Sequence, residues 1–65
     1  MPHVQITLLK GRTIEQKRKI ARRITDVLVE DGAAKVEAVS IAFVDVEAED
    51  YASAGVLVAD KRKSG

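Results

Sequence analysis

Residues 4–16 read VQITLLKGRTIEQ, and they contain a strand, a turn and the start of a helix. Apolar and polar residues alternate in the first half, which predicts a strand over about residues 3–9. Gly11 can adopt a positive φ, so it is suited to the turn that ends this strand. Thr13 and Gln16 have the spacing of a capping box, which predicts that a helix begins at the residue after Thr13.

The rest of the chain predicts a helix, a second strand and a hairpin. A helix is expected over about residues 14–31, ended by Gly32, because apolar residues recur at helical spacing. These residues are Ile20, Ile24, Val27 and Leu28, with Ala21 on the margin of the stripe. An almost continuously apolar run predicts a strand over about residues 39–46, of the kind that is buried on both faces in a parallel sheet. A turn near Gly55 predicts a C-terminal hairpin over about residues 52–59, followed by a frayed basic tail.

The length of the chain allows one domain, residues 1–65, of the α+β class: a β-α-β unit followed by the hairpin. A chain of this size buries only about 60% of its unfolded surface, so small folds usually need disulfides, metals or partner subunits. It has no cysteine, and its single histidine and scattered carboxylates show no metal-ligand spacing. Two strands and one helix cannot cover both faces of the second strand. We therefore expect the chain to oligomerise through its sheet.

The charge of the chain argues against nucleic acids as partners. Eleven Lys and Arg residues against ten Asp and Glu give a net charge of +1, whereas a nucleic-acid-binding domain is expected to be strongly basic. No apolar run is long enough to cross a membrane, and no signal-peptide pattern opens the chain. We therefore expect a cytoplasmic protein that binds neither nucleic acid nor membrane.

Pro2 directly follows the initiator methionine, which is normally removed ahead of a residue this small. Removal of Met1 would leave a free secondary amine, which is a base without any side chain. Burial and a nearby cation both disfavour the protonated amine, so both lower its pKa toward neutrality, where a general base works best. Arg12 is a candidate for that cation, and it could also hold an anionic substrate by a bidentate contact. The alternative is an ordinary processed terminus and a turn with a solvated arginine.

Pro2, the run QITLLKGRT at residues 5–13 and the run EQK at residues 15–17 resemble the opening of 4-oxalocrotonate tautomerase and its short relatives. The similarity continues without gaps through the second strand to Tyr51 and Gly55. This resemblance implies the tautomerase fold, commonly assembled as a homohexamer that is a trimer of dimers. It also implies an isomerase that needs no metal or organic cofactor.

The resemblance assigns roles to individual residues. Pro2 would be the general base that moves a proton between a dienol oxygen and a carbon. Arg12 would hold a substrate carboxylate across a subunit boundary, and Tyr51 would line the pocket and keep it dry. Ser40 stands where the family has a second pocket arginine, so tight binding of a second substrate carboxylate is not expected. Arg62, with its basic neighbours, could restore this positive charge if the tail folds over a neighbouring pocket.

The expected function is the interconversion of enol and keto forms of an unsaturated 2-oxo acid similar to 2-hydroxymuconate, a small-molecule carboxylate. Two alternatives remain open. One is an enzyme of a biosynthetic pathway whose substrate lacks the second carboxylate, and the other is a catalytically silent subunit of a hetero-oligomer. His3 lies beside the proposed base and could tune it, although strand packing is its more ordinary role.

Overall fold

The computed structural model describes residues 1–64, and it contains a β-α-β unit followed by a short hairpin. Its strands and helices, in chain order, are β1 (His3–Leu9), α1 (Ile14–Glu30), β2 (Ser40–Val46), β3 (Ala52–Ser53), β4 (Val56–Leu57) and α2 (Val58–Ser64). Two 3₁₀ turns, Val36–Ala38 and Ala48–Asp50, flank β2. β1 and β2 pair in parallel, and β3 and β4 pair antiparallel. The predicted fold class is confirmed.

The helix covers only one face of the β1–β2 sheet. The two strands pair from His3 opposite Ser40 to Leu9 opposite Val46, so residues of equal register point to the same side. An ion pair of 2.8 Å between Lys17 Nζ and Asp45 Oδ2 joins α1 to the face that carries Asp45. In β1, the residues that point to the opposite face are His3, Gln5, Thr7 and Leu9. That face is open in the single chain.

The start of α1 follows from its local sequence. Thr13 Oγ1 accepts a hydrogen bond from the Gln16 N–H at 3.1 Å, and Gln16 Oε1 accepts from the Thr13 N–H at 2.8 Å. Both bonds of the capping box are therefore present, and they satisfy two amides that the first turn leaves without helical partners.

The inward side of α1 differs from the predicted apolar stripe at one residue. Ile20, Ala21, Ile24 and Leu28 are half-buried, whereas Val27 is 55% exposed. Lys17, Thr25 and Val29 are half-buried as well. The half-buried residues of α1 therefore centre between Ala21 and Leu28, and Val27 lies roughly 100° away from that centre around the helix. Ala21, on the margin of the predicted stripe, therefore lies inward, and Val27 lies outside the inward side.

The end of α1 depends on close backbone contact at Gly32. The Gly32 N–H donates to the Leu28 carbonyl at 3.1 Å, and the Ala34 N–H donates to the same oxygen at 3.1 Å. A Cβ at Gly32 would lie 2.7 Å from that oxygen, which is closer than real Cβ atoms approach. The left-handed conformation is adopted by Ala33, whose φ is 57°. Gly32 is therefore required for the close approach, and the positive φ falls on its neighbour.

Substituting Gly32 and Ala33 separately tests this difference. Gly32→Ala is expected to lower the free energy of unfolding by about 1–3 kcal/mol, because the added methyl group forces the backbone apart. Ala33→Gly is the matched control and should be neutral or stabilising by up to about 1 kcal/mol, since glycine tolerates a positive φ. Urea denaturation at equal chain concentration measures both, because the stability of an oligomer depends on concentration. Equal stability of Gly32→Ala and the wild type would contradict this account.

The C-terminal hairpin is shorter than the predicted range of about 52–59. Its turn consists of Ala54 and Gly55, with φ of 52° and 79°, which matches the two-residue hairpin turn with positive φ at both positions. The prediction was wrong at Val58 and Ala59, which belong to α2. The Val58 N–H donates to the Tyr51 carbonyl at 2.9 Å, and this bond turns the chain out of the hairpin.

The basic tail also differs from the prediction. Val58–Ser64 is helical where a frayed terminus was expected, and Lys61 Nζ donates to Ser53 Oγ at 2.6 Å, which ties the helix back to β3. Neither α1 nor α2, the two helices within residues 1–64, has the length and apolar character that a membrane crossing requires.

The chain has too much surface for a self-sufficient monomer. Its accessible area is 5072 Å², against about 4,100 Å² for a folded monomer of this mass. Its radius of gyration is 15.2 Å, against about 11 Å for a compact domain of this length. Among residues 1–62, no side chain is fully buried, and several apolar residues are at least 38% exposed. They include Ile14, Val27, Val36, Val44, Tyr51, Val56 and Leu57. The chain therefore has the dimensions of a subunit.

Candidate active site

Pro2 lies immediately before β1, at the end of the parallel sheet where both strands begin. We call this the open end of the sheet. It is half-buried, and its carbonyl accepts a hydrogen bond of 3.1 Å from the Ser40 N–H. Met1 is fully exposed. While Met1 is attached, the Pro2 nitrogen is an amide and cannot accept a proton. Removal of this exposed methionine would place a free secondary amine at the end of the sheet.

His3 and Ser40 meet beside Pro2. They are opposite each other in the parallel register, and His3 Nδ1 lies 2.8 Å from Ser40 Oγ. Sequence reasoning singled out both residues but did not pair them, because they are 37 positions apart. The sequence predicts that the two strands are parallel, but it does not give their register. In the observed register the first residue of β1 lies opposite the first residue of β2.

Arg12 lies at the opposite end of β1. It follows Gly11, whose φ of 135° is accessible mainly to glycine, and its Nη1 donates to the Leu9 carbonyl at 3.3 Å. β1 has seven residues, so the two ends of the strand are roughly 20 Å apart. No arginine side chain spans that distance. A site that uses both Pro2 and Arg12 must therefore take them from different copies of the chain.

Tyr51 and Arg62 also lie away from Pro2. Tyr51 comes after the carboxyl end of β2, which is the end of the sheet that carries Arg12, and it is 46% exposed. Arg62 is exposed on α2. Among the described residues, no hydrogen bond or ion pair joins either one to Pro2. The structure thus brings together Pro2, His3 and Ser40 at one end of the sheet. It leaves Arg12, Tyr51 and Arg62 away from that end.

The guanidinium groups of Arg12 and Arg62 are available to bind an anion. Within residues 1–64, neither Arg12 nor Arg62 forms an ion pair with a carboxylate. An exposed guanidinium with free donors can bind a carboxylate by two parallel hydrogen bonds. In the same part of the chain, no three His, Asp or Glu side chains lie close enough to hold a metal ion.

Comparison with known proteins gives the family. A family model described as "Tautomerase enzyme" matches residues 2–61, which begin at Pro2. The chain is 33% identical over 60 residues to 2-hydroxymuconate tautomerase of Bacillus subtilis (strain 168), covering 92% of this chain and 97% of that protein.

Solved structures agree with this match. A structure from a study of the 4-oxalocrotonate tautomerase isozymes of Methylibium petroleiphilum superimposes with a TM-score of 0.95 at 31% identity, covering 98% of this chain and 100% of that one. A chain of the heterohexamer 4-oxalocrotonate tautomerase of Chloroflexus aurantiacus J-10-fl superimposes with a TM-score of 0.87 at 25% identity, covering 92% and 97%.

The family match over nearly the whole chain, the identity to a curated relative and the agreement in fold lead to one conclusion. The chain belongs to the tautomerase family, as an isomerase similar to 4-oxalocrotonate tautomerase.

Proposed function

We propose that this chain interconverts the enol and keto forms of an unsaturated 2-oxo acid similar to 2-hydroxymuconate, with the amino-terminal nitrogen of Pro2 as general base. The observation that carries the proposal is the position of Pro2 at the open end of the sheet, behind an exposed Met1. The family match that begins at Pro2 and the name of the Bacillus subtilis relative support it.

In this mechanism the reaction is a proton transfer. The Pro2 amine takes the proton from the enol hydroxyl, and the oxygen–hydrogen electron pair forms the carbonyl. The conjugated double bonds then shift along the carbon skeleton of the substrate. The protonated amine then returns the proton to a remote carbon of the substrate. Arg12 of a neighbouring copy binds the substrate carboxylate and stabilises the negative charge that develops. Tyr51 lines the pocket, and its apolar ring excludes water.

The proposal requires an assembly, because Pro2 and Arg12 of one chain lie at opposite ends of β1. We propose a homohexamer arranged as a trimer of dimers, in which the open face of the sheet and the exposed apolar residues are covered. The excess surface of the chain supports an oligomer. The Chloroflexus aurantiacus relative is itself a heterohexamer. Native mass spectrometry of the purified chain would test the number and identity of the subunits.

Ser40 favours a second candidate within the same reaction class. Its hydroxyl is short and neutral and is already in contact with His3 at 2.8 Å, so it offers no charged clamp to a second carboxylate. We propose that Ser40 lies in the substrate-binding pocket, where its neutrality suits a substrate with one carboxylate, as in an enzyme recruited to a biosynthetic pathway. Comparing kcat/KM for 2-hydroxymuconate and phenylenolpyruvate distinguishes the two candidates. Absence of turnover by the purified chain alone would instead favour a silent subunit of a hetero-oligomer.

Arg62 is the candidate that could replace the missing charge. It is exposed on α2, and the bond from Lys61 to Ser53 holds that helix in place. If Arg62 reaches a neighbouring site, Arg62→Gln should raise KM for the dicarboxylate 2-hydroxymuconate by roughly tenfold and leave KM for phenylenolpyruvate unchanged. Steady-state kinetics with both substrates measures this, and Arg23→Gln on the exposed face of α1 is the control. Equal effects of Arg62→Gln and Arg23→Gln would remove Arg62 from the mechanism.

A further inference from the structure

Ser40 contacts Pro2, which immediately precedes β1, and His3, which is the first residue of β1. Its N–H donates to the Pro2 carbonyl at 3.1 Å, and its Oγ lies 2.8 Å from His3 Nδ1. One residue of β2 therefore holds the backbone beside the proposed base and the imidazole ring next to it. The ring is exposed, on the face of the sheet that α1 leaves open.

The contact determines what the second ring nitrogen can do. A neutral imidazole carries hydrogen on only one of its nitrogens, and the tautomer is set by the bond that the other nitrogen makes. The Ser40 hydroxyl can donate to Nδ1, which places the hydrogen on Nε2. Within the described residues Nε2 of His3 has no hydrogen-bond partner. In that tautomer the ring presents an unpaired N–H donor at the end of the sheet that carries Pro2.

We propose that His3 is a substrate-binding residue, and that Ser40 is the positioning residue that fixes its ring. In this arrangement, which rests on the proposed tautomerase activity at Pro2, the Nε2–H of His3 donates to the enol or keto oxygen on carbon 2 of the substrate, beside the carboxylate that Arg12 holds. A single neutral donor matches an uncharged carbonyl or hydroxyl oxygen, whereas a second carboxylate calls for a bidentate cation. His3 therefore suits the uncharged oxygen on carbon 2 and offers no charged clamp to a second carboxylate.

Two substitutions of His3 separate a binding role from a packing role. The amide of His3→Gln can place a donor near the position of Nε2, whereas the shorter amide of His3→Asn stays near Nδ1. With phenylenolpyruvate as substrate, His3→Asn should raise KM roughly tenfold and His3→Gln roughly threefold, and kcat should stay within about twofold of the wild type for both. Arg23→Gln is the control, because Arg23 is exposed on α1 and has no part in the proposed site.

Ser40→Ala tests the positioning role. It should raise KM roughly threefold in the wild-type background and have no further effect in His3→Asn, because the ring that it positions is then absent. Nitrogen-15 NMR of the His3 ring gives a readout that does not depend on turnover. The wild type should show hydrogen on Nε2, and Ser40→Ala should show a mixture of both tautomers. Titration with phenylpyruvate, the keto product, should shift the Nε2 resonance in the wild type and in the inactive Pro2→Ala variant.

The outcomes distinguish this inference from the proposed function. Turnover that depends on Pro2, together with a wild-type KM in His3→Asn, would overturn the role of His3 and leave the tautomerase activity standing. A wild-type chain that turns over no enol would overturn the proposed activity. In that case an Nε2 resonance unmoved by phenylpyruvate would overturn the binding role of His3 as well. Hydrogen on Nδ1 in the wild type would overturn it under any result of the kinetics.

Discussion

Pro2→Ala is expected to lower kcat/KM for enol–keto tautomerisation by about 10²-fold or more, which is the low end of what a positioned general base contributes. Alanine also allows removal of the preceding methionine, so the variant keeps a free terminal amine. It loses the pyrrolidine ring, which fixes the direction of the nitrogen. Because the defect lies in proton transfer, it should appear in kcat, with KM changed much less. Steady-state kinetics with 2-hydroxymuconate and phenylenolpyruvate measures it.

Two controls make the Pro2→Ala result decisive. Mass spectrometry should show that both the wild type and the variant lack Met1, and native mass spectrometry should show the same oligomer for both. Wild-type chain made with methionine aminopeptidase inhibited, and therefore retaining Met1, should be inactive, because an amide nitrogen accepts no proton. Full activity of the chain with Met1 attached would exclude the Pro2 nitrogen as the base.

Mixing two impaired variants is expected to raise activity above that of either one, because Pro2 and Arg12 of one chain lie at opposite ends of β1. Arg12→Ala alone should lower kcat/KM by roughly 10- to 150-fold, the equivalent of a lost charge-assisted bond to a carboxylate of about 1.5–3 kcal/mol. Its Pro2 is intact, whereas Pro2→Ala keeps Arg12. When the two variants are unfolded together and refolded in equal amounts, roughly a quarter of the sites should combine an intact Pro2 with an intact Arg12 from a neighbour.

The mixing experiment needs three further comparisons. Refolding each variant alone should give no recovery, and refolded wild type sets the maximum. Arg12→Lys should recover part of the loss, because lysine keeps the charge but not the bidentate geometry. A refolded mixture no more active than the average of the two variants would show that Arg12 and Pro2 do not act together across a subunit boundary.

Local sequence determined the order of elements and the start of the helix. The alternation in residues 4–9 predicts β1, and the capping box at Thr13 and Gln16 predicts where α1 begins, because both patterns act over a few neighbouring residues. Pro2 was predicted as the candidate base for a similar reason, since its chemistry depends only on its place behind Met1. The single-chain surface excess agrees with the shortage of core that the composition implied.

Details that depend on contacts between distant residues could not be predicted in this way. The pairing of His3 with Ser40, 37 positions apart, exists only because the parallel register sets the first residues of the two strands opposite each other. The helical start at Val58 required the bond to Tyr51. The exposure of Val27, which the sequence pattern places on the apolar stripe, was decided by how the helix packs on the sheet.

The sequence by itself thus determined which segments form strands and helices and which residues carry useful chemistry, because backbone preference, capping and charge are properties of short stretches. Only the tertiary structure decided how these residues are distributed in space: Pro2 with His3 and Ser40 at one end of the sheet, and Arg12 at the other. The physical reason is that strand register and helix packing are set by contacts between segments far apart in the chain, which no local pattern specifies.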